Sequence, residues 1–225
     1  MATPAPRLGL RRCGGWPSLA VALALVVYTL PGAEKNLVYD RAAILDGEVW
    51  RLITGHWVHF SASHLFYDVA VLAISGWFIE ARRYRYFLPL CVLSASVIGL
   101  ALLAILPEIA VYGGLSGIAM ASTVYLALRA LDEPPPWRGA AVAALVACTG
   151  KVVLEVLIGD AVPTVVDGVQ FVPVPLSHIV GAMSAVAVYL WSRRCQPVAR
   201  RRRGRTGRSQ MDPASTGRHV GMAQR

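Results

Sequence analysis

Apolar segments of membrane-spanning length recur along the chain between short polar breaks. That recurrence limits the fold more than any single motif does. Six such segments lie at about 17–32, 62–81, 86–107, 115–131, 138–158 and 176–192. A hydrocarbon core of ~30 Å takes ~20 residues of helix to cross. The expected fold is therefore an all-α membrane protein of six helices, with the first and fourth spans short and dependent on flanking residues. Residues 1–16 are expected as a cytoplasmic N-terminal segment, 17–192 as the membrane domain, and 193–225 as a basic, disordered cytoplasmic tail. The basic, apolar start also resembles a signal peptide. Without an alanine-rich cleavage site, a retained first helix is the expected form. It also puts both basic ends on one side.

Charge sets the orientation. Arg7, Arg11 and Arg12 precede the first span, and Arg82, Arg83 and Arg85 follow the second. Arg129 and Arg138 flank Pro134-Pro135-Pro136, and a cluster beginning at Arg193 follows the sixth. All four sites fall on one side, which the positive-inside rule makes cytoplasmic. The opposite side receives the loop 33–61, a short link near Pro107-Glu108, and the Pro- and Val-rich segment 159–175, expected as a loop or short hairpin. The net charge of +9 does not point to nucleic acid, because ten of the 22 Lys and Arg residues lie in the tail after Ser192. A tail near anionic lipid accounts for them. The four cysteines form no CxxC pair, so redox and zinc motifs are unsupported.

Polar groups within a membrane are costly and each calls for a reason. Three of them share a depth. Ser116 lies 13 residues from the inner marker Arg129, His178 lies 15 from Arg193, and Asp68 lies 14 from Arg82. At 1.5 Å per residue these are roughly 20, 22 and 21 Å. His64 is one turn above Asp68, nearer the outer boundary. A serine needs a nearby base to become a nucleophile, and histidine is the usual one. The pair is defined by geometry, not by sequence order.

The stretch Val111-Tyr112-Gly113-Gly114-Leu115-Ser116-Gly117 places the serine at a helix start. Its amide is unpaired there, and the helix dipole favours an oxyanion. His64 is a further donor. Gly113 and Gly114 permit a tight turn, and Gly117 permits a close helix neighbour. Gly181 and Ala185 are spaced for such contact on the sixth span. A serine in a membrane helix more often just bonds its own backbone. The shared depth with histidine shifts the reading to catalysis.

In this order and on these spans, four motifs resemble those of the rhomboid family of intramembrane serine proteases. They are Gly47-Glu48-Val49-Trp50-Arg51-Leu52-Ile53-Thr54, His64-Leu65-Phe66-Tyr67-Asp68, Gly114-Leu115-Ser116-Gly117 and His178-Ile179-Val180-Gly181. The resemblance covers roughly residues 47–192 and implies a six-helix rhomboid-like bundle. Within the family the chain is most similar to the rhombosortases, being compact and carrying Val172-Pro173-Val174-Pro175-Leu176-Ser177-His178.

The resemblance implies a serine endopeptidase with Ser116 as nucleophile and His178 as general base, with no required acid. It places His64, Asp68 and Gly114 around the oxyanion and substrate. It implies no cofactor and no metal. The implied partners are single-span membrane proteins with GlyGly-CTERM tails and the lipid bilayer, and the implied location is the bacterial inner membrane. Where many rhomboids carry asparagine, this chain carries Asp68. Either Asp68 is protonated and donates, or it turns away to a cation such as Lys151. Lys151 has its own local partner in Glu155, four residues on and on the same helix face. That pair is the expected structural one.

Three other readings are weaker. A non-catalytic rhomboid relative that binds membrane helices typically lacks the dyad residues, and both are present here. His56, His59 and His64 cluster at the outer end of the second span but lack standard metal spacing; they are expected as interfacial histidines. A small transporter would use intramembrane His, Asp and Lys as an ion path, yet no inverted repeat is evident.

Overall fold

A computed structural model describes residues 15–158, 164–166, 169–171 and 174–195. The terminal segments expected as cytoplasmic therefore lie almost wholly outside the described residues. The elements are α1 (Trp16–Thr29), α2 (Ala33–Leu37), β1 (Tyr39–Asp40), α3 (Arg41–Leu45), α4 (Arg51–Thr54), a 3-10 turn (Gly55–Trp57), α5 (Ala62–Ala81), α6 (Phe87–Ile105), β2 (Val111–Tyr112), α7 (Ser116–Ala130), α8 (Trp137–Ile158), β3 (Thr164–Val166), β4 (Val169–Phe171) and α9 (Pro175–Arg194).

Among the described residues, four helices are long and apolar enough to cross a membrane: Ala62–Ala81, Phe87–Ile105, Trp137–Leu157 and Pro175–Arg194. The other two expected spans form shorter helices. α1 has 14 residues and α7 has 15. At 1.5 Å per residue these reach about 21 and 23 Å, less than a full hydrocarbon core. Among the described residues, length and composition thus mark four of the six expected spans as candidate crossings.

The short α7 sits at the centre. Ten of its residues are buried, from Gly117 to Ala130. α5, α6 and α8 pack around it. Within lipid, helices gain little from hiding apolar surface from tails that are equally apolar, so close van der Waals contact and interhelical hydrogen bonds hold a bundle together. Small residues make that contact here. Ser75 on α5 hydrogen-bonds Ser122 on α7. Gly76 on α5 leaves room for Pro17 of α1, whose ring would lie 2.8 Å from an added Cβ.

The loop 33–61 is a folded platform with several short elements of its own. Arg51 is 6% exposed, and its guanidinium donates to Glu48 Oε2 (2.6 Å), the Lys35 carbonyl (2.9 Å) and the Val38 carbonyl (3.0 Å). Thr54 donates to the Leu37 carbonyl at 2.7 Å. Gly99 on α6 lets α4 approach closely, since a Cβ there would meet the Leu52 carbonyl oxygen at 2.3 Å. β1 pairs antiparallel with β2, Tyr39 opposite Tyr112. The platform is thereby tied to the segment that leads into α7. In the segment expected as a loop or short hairpin, β3 pairs antiparallel with β4.

At the other end of α7, Glu133 joins Arg82 (3.2 Å) and the Tyr84 hydroxyl (2.6 Å). The Arg82 guanidinium also lies 3.9 Å over the Trp137 ring. This cluster binds the end of α5 to the turn before α8.

Candidate active site

Ser116 is the first residue of α7. Gly114 enters the helix at φ 129°, a conformation that side chains other than glycine rarely adopt. It also has no room for one. A Cβ at Gly114 would stand 2.7 Å from His64 Cε1, 2.9 Å from His64 Nε2 and 3.3 Å from Asp68 Oδ2. Gly114, His64 and Asp68, expected together from the sequence, therefore meet at the mouth of α7.

α5 supplies this wall. Ser61 caps it by accepting from the His64 amide at 3.2 Å, which satisfies one of the helix's free donors. One turn on, Asp68 Oδ2 lies 3.2 Å from both His64 Nε2 and His59 Nε2. The two imidazoles stand edge to face, with ring centroids 5.1 Å apart. Asp68 faces these histidines, and Lys151 pairs with Glu155 instead. Of the two fates expected for Asp68, pairing with Lys151 is not the one seen. His59 also touches the turn itself, with the Leu115 amide 3.4 Å from its Nε2.

Of the three clustered histidines, His59 and His64 meet at Asp68 and His56 does not. His56 and His59 are 1% and 6% exposed. His56 turns away to bond the Ala95 carbonyl at 3.0 Å and packs on Tyr112 with centroids 5.6 Å apart. Burial holds its imidazole down to a pKa of about 4, so it is neutral at ordinary pH. Short elements between the spans fold these residues inward, which a reading by span boundaries had placed at the surface.

α9 packs closely on the start of α7. A Cβ on Gly181 would lie 2.2 Å from the Gly117 carbonyl oxygen, and one on Gly117 would lie 2.9 Å from the Ser177 carbonyl oxygen. The two backbones thus touch through residues that neighbour Ser116 and His178. His178 is 3% exposed. Its Nδ1 lies 2.6 Å from Glu155 Oε2 on α8. Its Nε2 is buried without a hydrogen-bond partner, so no bond to Ser116 is formed in this conformation.

Tyr112 adds a second buried, unpartnered group. Its hydroxyl makes no hydrogen bond. Burial pushes the phenol up to about 12; Ser177 opposes this, with smaller effects from the Asp68 charge, which raises it, and Ser116, which lowers it. Buried polar groups are rarely left unsatisfied, and exceptions ask for an explanation. Two of them beside the amide-rich start of one helix suit a site that receives a polar group from outside.

A Rhomboid domain model matches residues 46–194, well over half of the chain. The chain belongs to the rhomboid family. Rhomboids are generally intramembrane serine proteases, and with its apolar helices this rhomboid is an integral, multi-pass membrane protein. No curated protein matches it. The matched region runs from just after α3 to the end of α9, and so contains every residue singled out at this rhomboid's site.

Sequence reasoning missed three neighbours of that site. It placed Glu155 in a local pair with Lys151 and did not connect it to His178. Helix-face spacing within α8 shows the first partner but carries no sign of the second, which comes from another helix. It treated His59 as interfacial and gave Tyr112 no role. The signal for Tyr112 lay in β1–β2 pairing, and two-residue strands leave almost no pattern to read.

Proposed function

We propose that this rhomboid is an intramembrane serine endopeptidase that cuts membrane-anchored proteins beside their transmembrane segment, with Ser116 as nucleophile and His178 as general base. The observation that carries the reading is the Gly117–Gly181 contact. It packs together the backbones next to Ser116 and His178, and the His178 Nε2 is buried without a hydrogen-bond partner. Hydrogen bonds between catalytic groups are often long in unliganded enzymes and tighten when substrate binds.

In the proposed reaction His178 Nε2 takes the Ser116 hydroxyl proton as Oγ bonds to the scissile carbonyl carbon. The carbonyl π pair moves onto oxygen, which the Ser116 amide and His64 receive. The C–N bond then breaks, and the leaving amine takes the proton from His178. Water repeats the sequence on the acyl-enzyme and frees the serine. Gly114 keeps the oxyanion side open, and Asp68 holds His64 in place.

The preferred substrates in this reading are single-span proteins with GlyGly-type C-terminal tails, as for rhombosortases. Glycine-rich segments unwind readily and reach a recessed serine. The protein sits in a bacterial inner membrane, with α1 and α7 completing six spans and both termini cytoplasmic. The test is co-expression with a secreted protein bearing a GlyGly tail. Wild type is expected to cleave it, while Ser116→Ala and His178→Ala do not. Cleavage by purified Ser116→Ala protein refutes the role. The open Ser116–His178 gap also suits a helix-binding relative without catalysis, and failure of a fluorophosphonate to label Ser116 favours that reading.

A further inference from the structure

We propose that Glu155 completes a Ser116–His178–Glu155 triad, as the positioning residue that fixes the tautomer and orientation of His178. The inference rests on the proposed catalytic roles of Ser116 and His178 and adds an acid that those roles do not require.

An ionised carboxylate can only accept hydrogen bonds. At 2.6 Å from Glu155 Oε2, His178 Nδ1 must carry the proton. The lone pair is then left on Nε2, the nitrogen that is buried and unpartnered. That is the form a general base needs. The contact is also short enough to be charge-assisted, and it strengthens when His178 becomes an imidazolium during the reaction.

The rest of the carboxylate is occupied as well. Glu155 Oε1 bonds Lys151 one turn earlier on α8. The glutamate side chain is 13% exposed and the histidine 4%, while the lysine is half exposed. Lys151 thus supplies a countercharge from the rim, and Glu155 reaches inward. A simple i,i+4 pair on a helix surface is worth only a few tenths of a kcal/mol and needs no third member. It does not explain why the free oxygen meets a buried imidazole on another helix. Among the described residues, Glu155 is the carboxylate bonded to His178.

The test uses the full-length protein in detergent and a fluorophosphonate probe, which Ser116 attacks at phosphorus with loss of fluoride. Binding (KI) and reaction (kinact) are measured separately for wild type, Glu155→Gln, Glu155→Asp, Glu155→Leu and Ser116→Ala. Glu155→Gln keeps the shape and an acceptor oxygen but removes the charge. It is expected to lower kinact on the order of 10²-fold with KI unchanged. Glu155→Asp should recover part of the loss. The nitrogen-15 spectrum of histidine-labelled protein, assigned by comparison with His178→Ala, should show His178 protonated on Nδ1 in wild type and Glu155→Gln. In Glu155→Leu that signature should be lost.

A kinact for Glu155→Gln within about twofold of wild type overturns the triad. So does a His178 signature that is unmoved in Glu155→Leu. If wild type itself reacts no faster than Ser116→Ala, the proposed protease function fails, and the triad fails with it.

Discussion

Gly181 on α9 meets Gly117 on α7 backbone to backbone, with 2.2 Å between the place of a Gly181 Cβ and the Gly117 carbonyl oxygen. Neither helix can yield locally, because the obstacle is main chain. Gly181→Ala must push α9 away from α7. The expected cost is about 1–3 kcal/mol of stability, as for overpacking, together with loss of most fluorophosphonate labelling of Ser116. Gly150→Ala is the control. Nothing lies within 4 Å of its Cβ position, and alanine in a helix interior gains up to ~1 kcal/mol over glycine. Thermal unfolding in detergent should separate the two variants clearly.

Asp68 joins His59 and His64 through one oxygen, 3.2 Å from each ring. Asp68→Leu leaves both imidazoles facing an apolar group. Stranding buried polar groups costs about 1–3 kcal/mol each, so the melting temperature should fall and His64 should lose its fixed position beside Gly114. Asp68→Asn retains an acceptor oxygen and should keep most of the stability. Unfolding curves and labelling rates of the two variants check this. Equal behaviour would show that the cluster does not hold the wall of the site.

Helix positions were legible in the sequence because hydrophobic runs, prolines and arginine clusters mark them directly. The expected span 62–81 is α5 to the residue, and Ser116 does open a helix. The number of crossings was less legible, because a buried central helix such as α7 can be short. The family resemblance had grouped Gly114, His64 and Asp68, which do lie together, while spacing along the helices supplied only a depth. Glu155 was not grouped with His178, since depth along α8 does not say which neighbour its face meets. The platform was least legible. Arg51 organises it through carbonyls of Lys35 and Val38, and backbone acceptors leave no trace in residue type.

The cluster at the far end of α7 should matter to stability and not to the chemistry. Tyr84 is buried and donates to Glu133 at 2.6 Å, and burial followed by that carboxylate pushes the phenol up to about 12. Tyr84→Phe removes one hydrogen bond to a partly exposed carboxylate and should cost about 1 kcal/mol. Labelling of Ser116 at a temperature where both proteins are folded should match wild type. A large drop in labelling would mean that this end of the bundle communicates with the site.

His56 should make the fold sensitive to mild acid. It is fully buried between the platform and α6, and burial lowers its pKa from 6.5 to about 4. The unfolded chain therefore binds a proton on this histidine at a higher pH than the folded protein does. Stability contributed by the neutral ring is complete above pH 6.5 and is lost as pH falls towards 4. Each unit in that window removes about 1.4 kcal/mol. His56→Leu forfeits the bond to the Ala95 carbonyl, a cost of about 1 kcal/mol at pH 7.5, but has nothing to protonate. The difference in melting temperature between wild type and His56→Leu should shrink from pH 7.5, reverse sign near about pH 6, and grow in the opposite sense towards pH 5. A constant difference across that range would mean that His56 can be protonated within the folded protein at no cost.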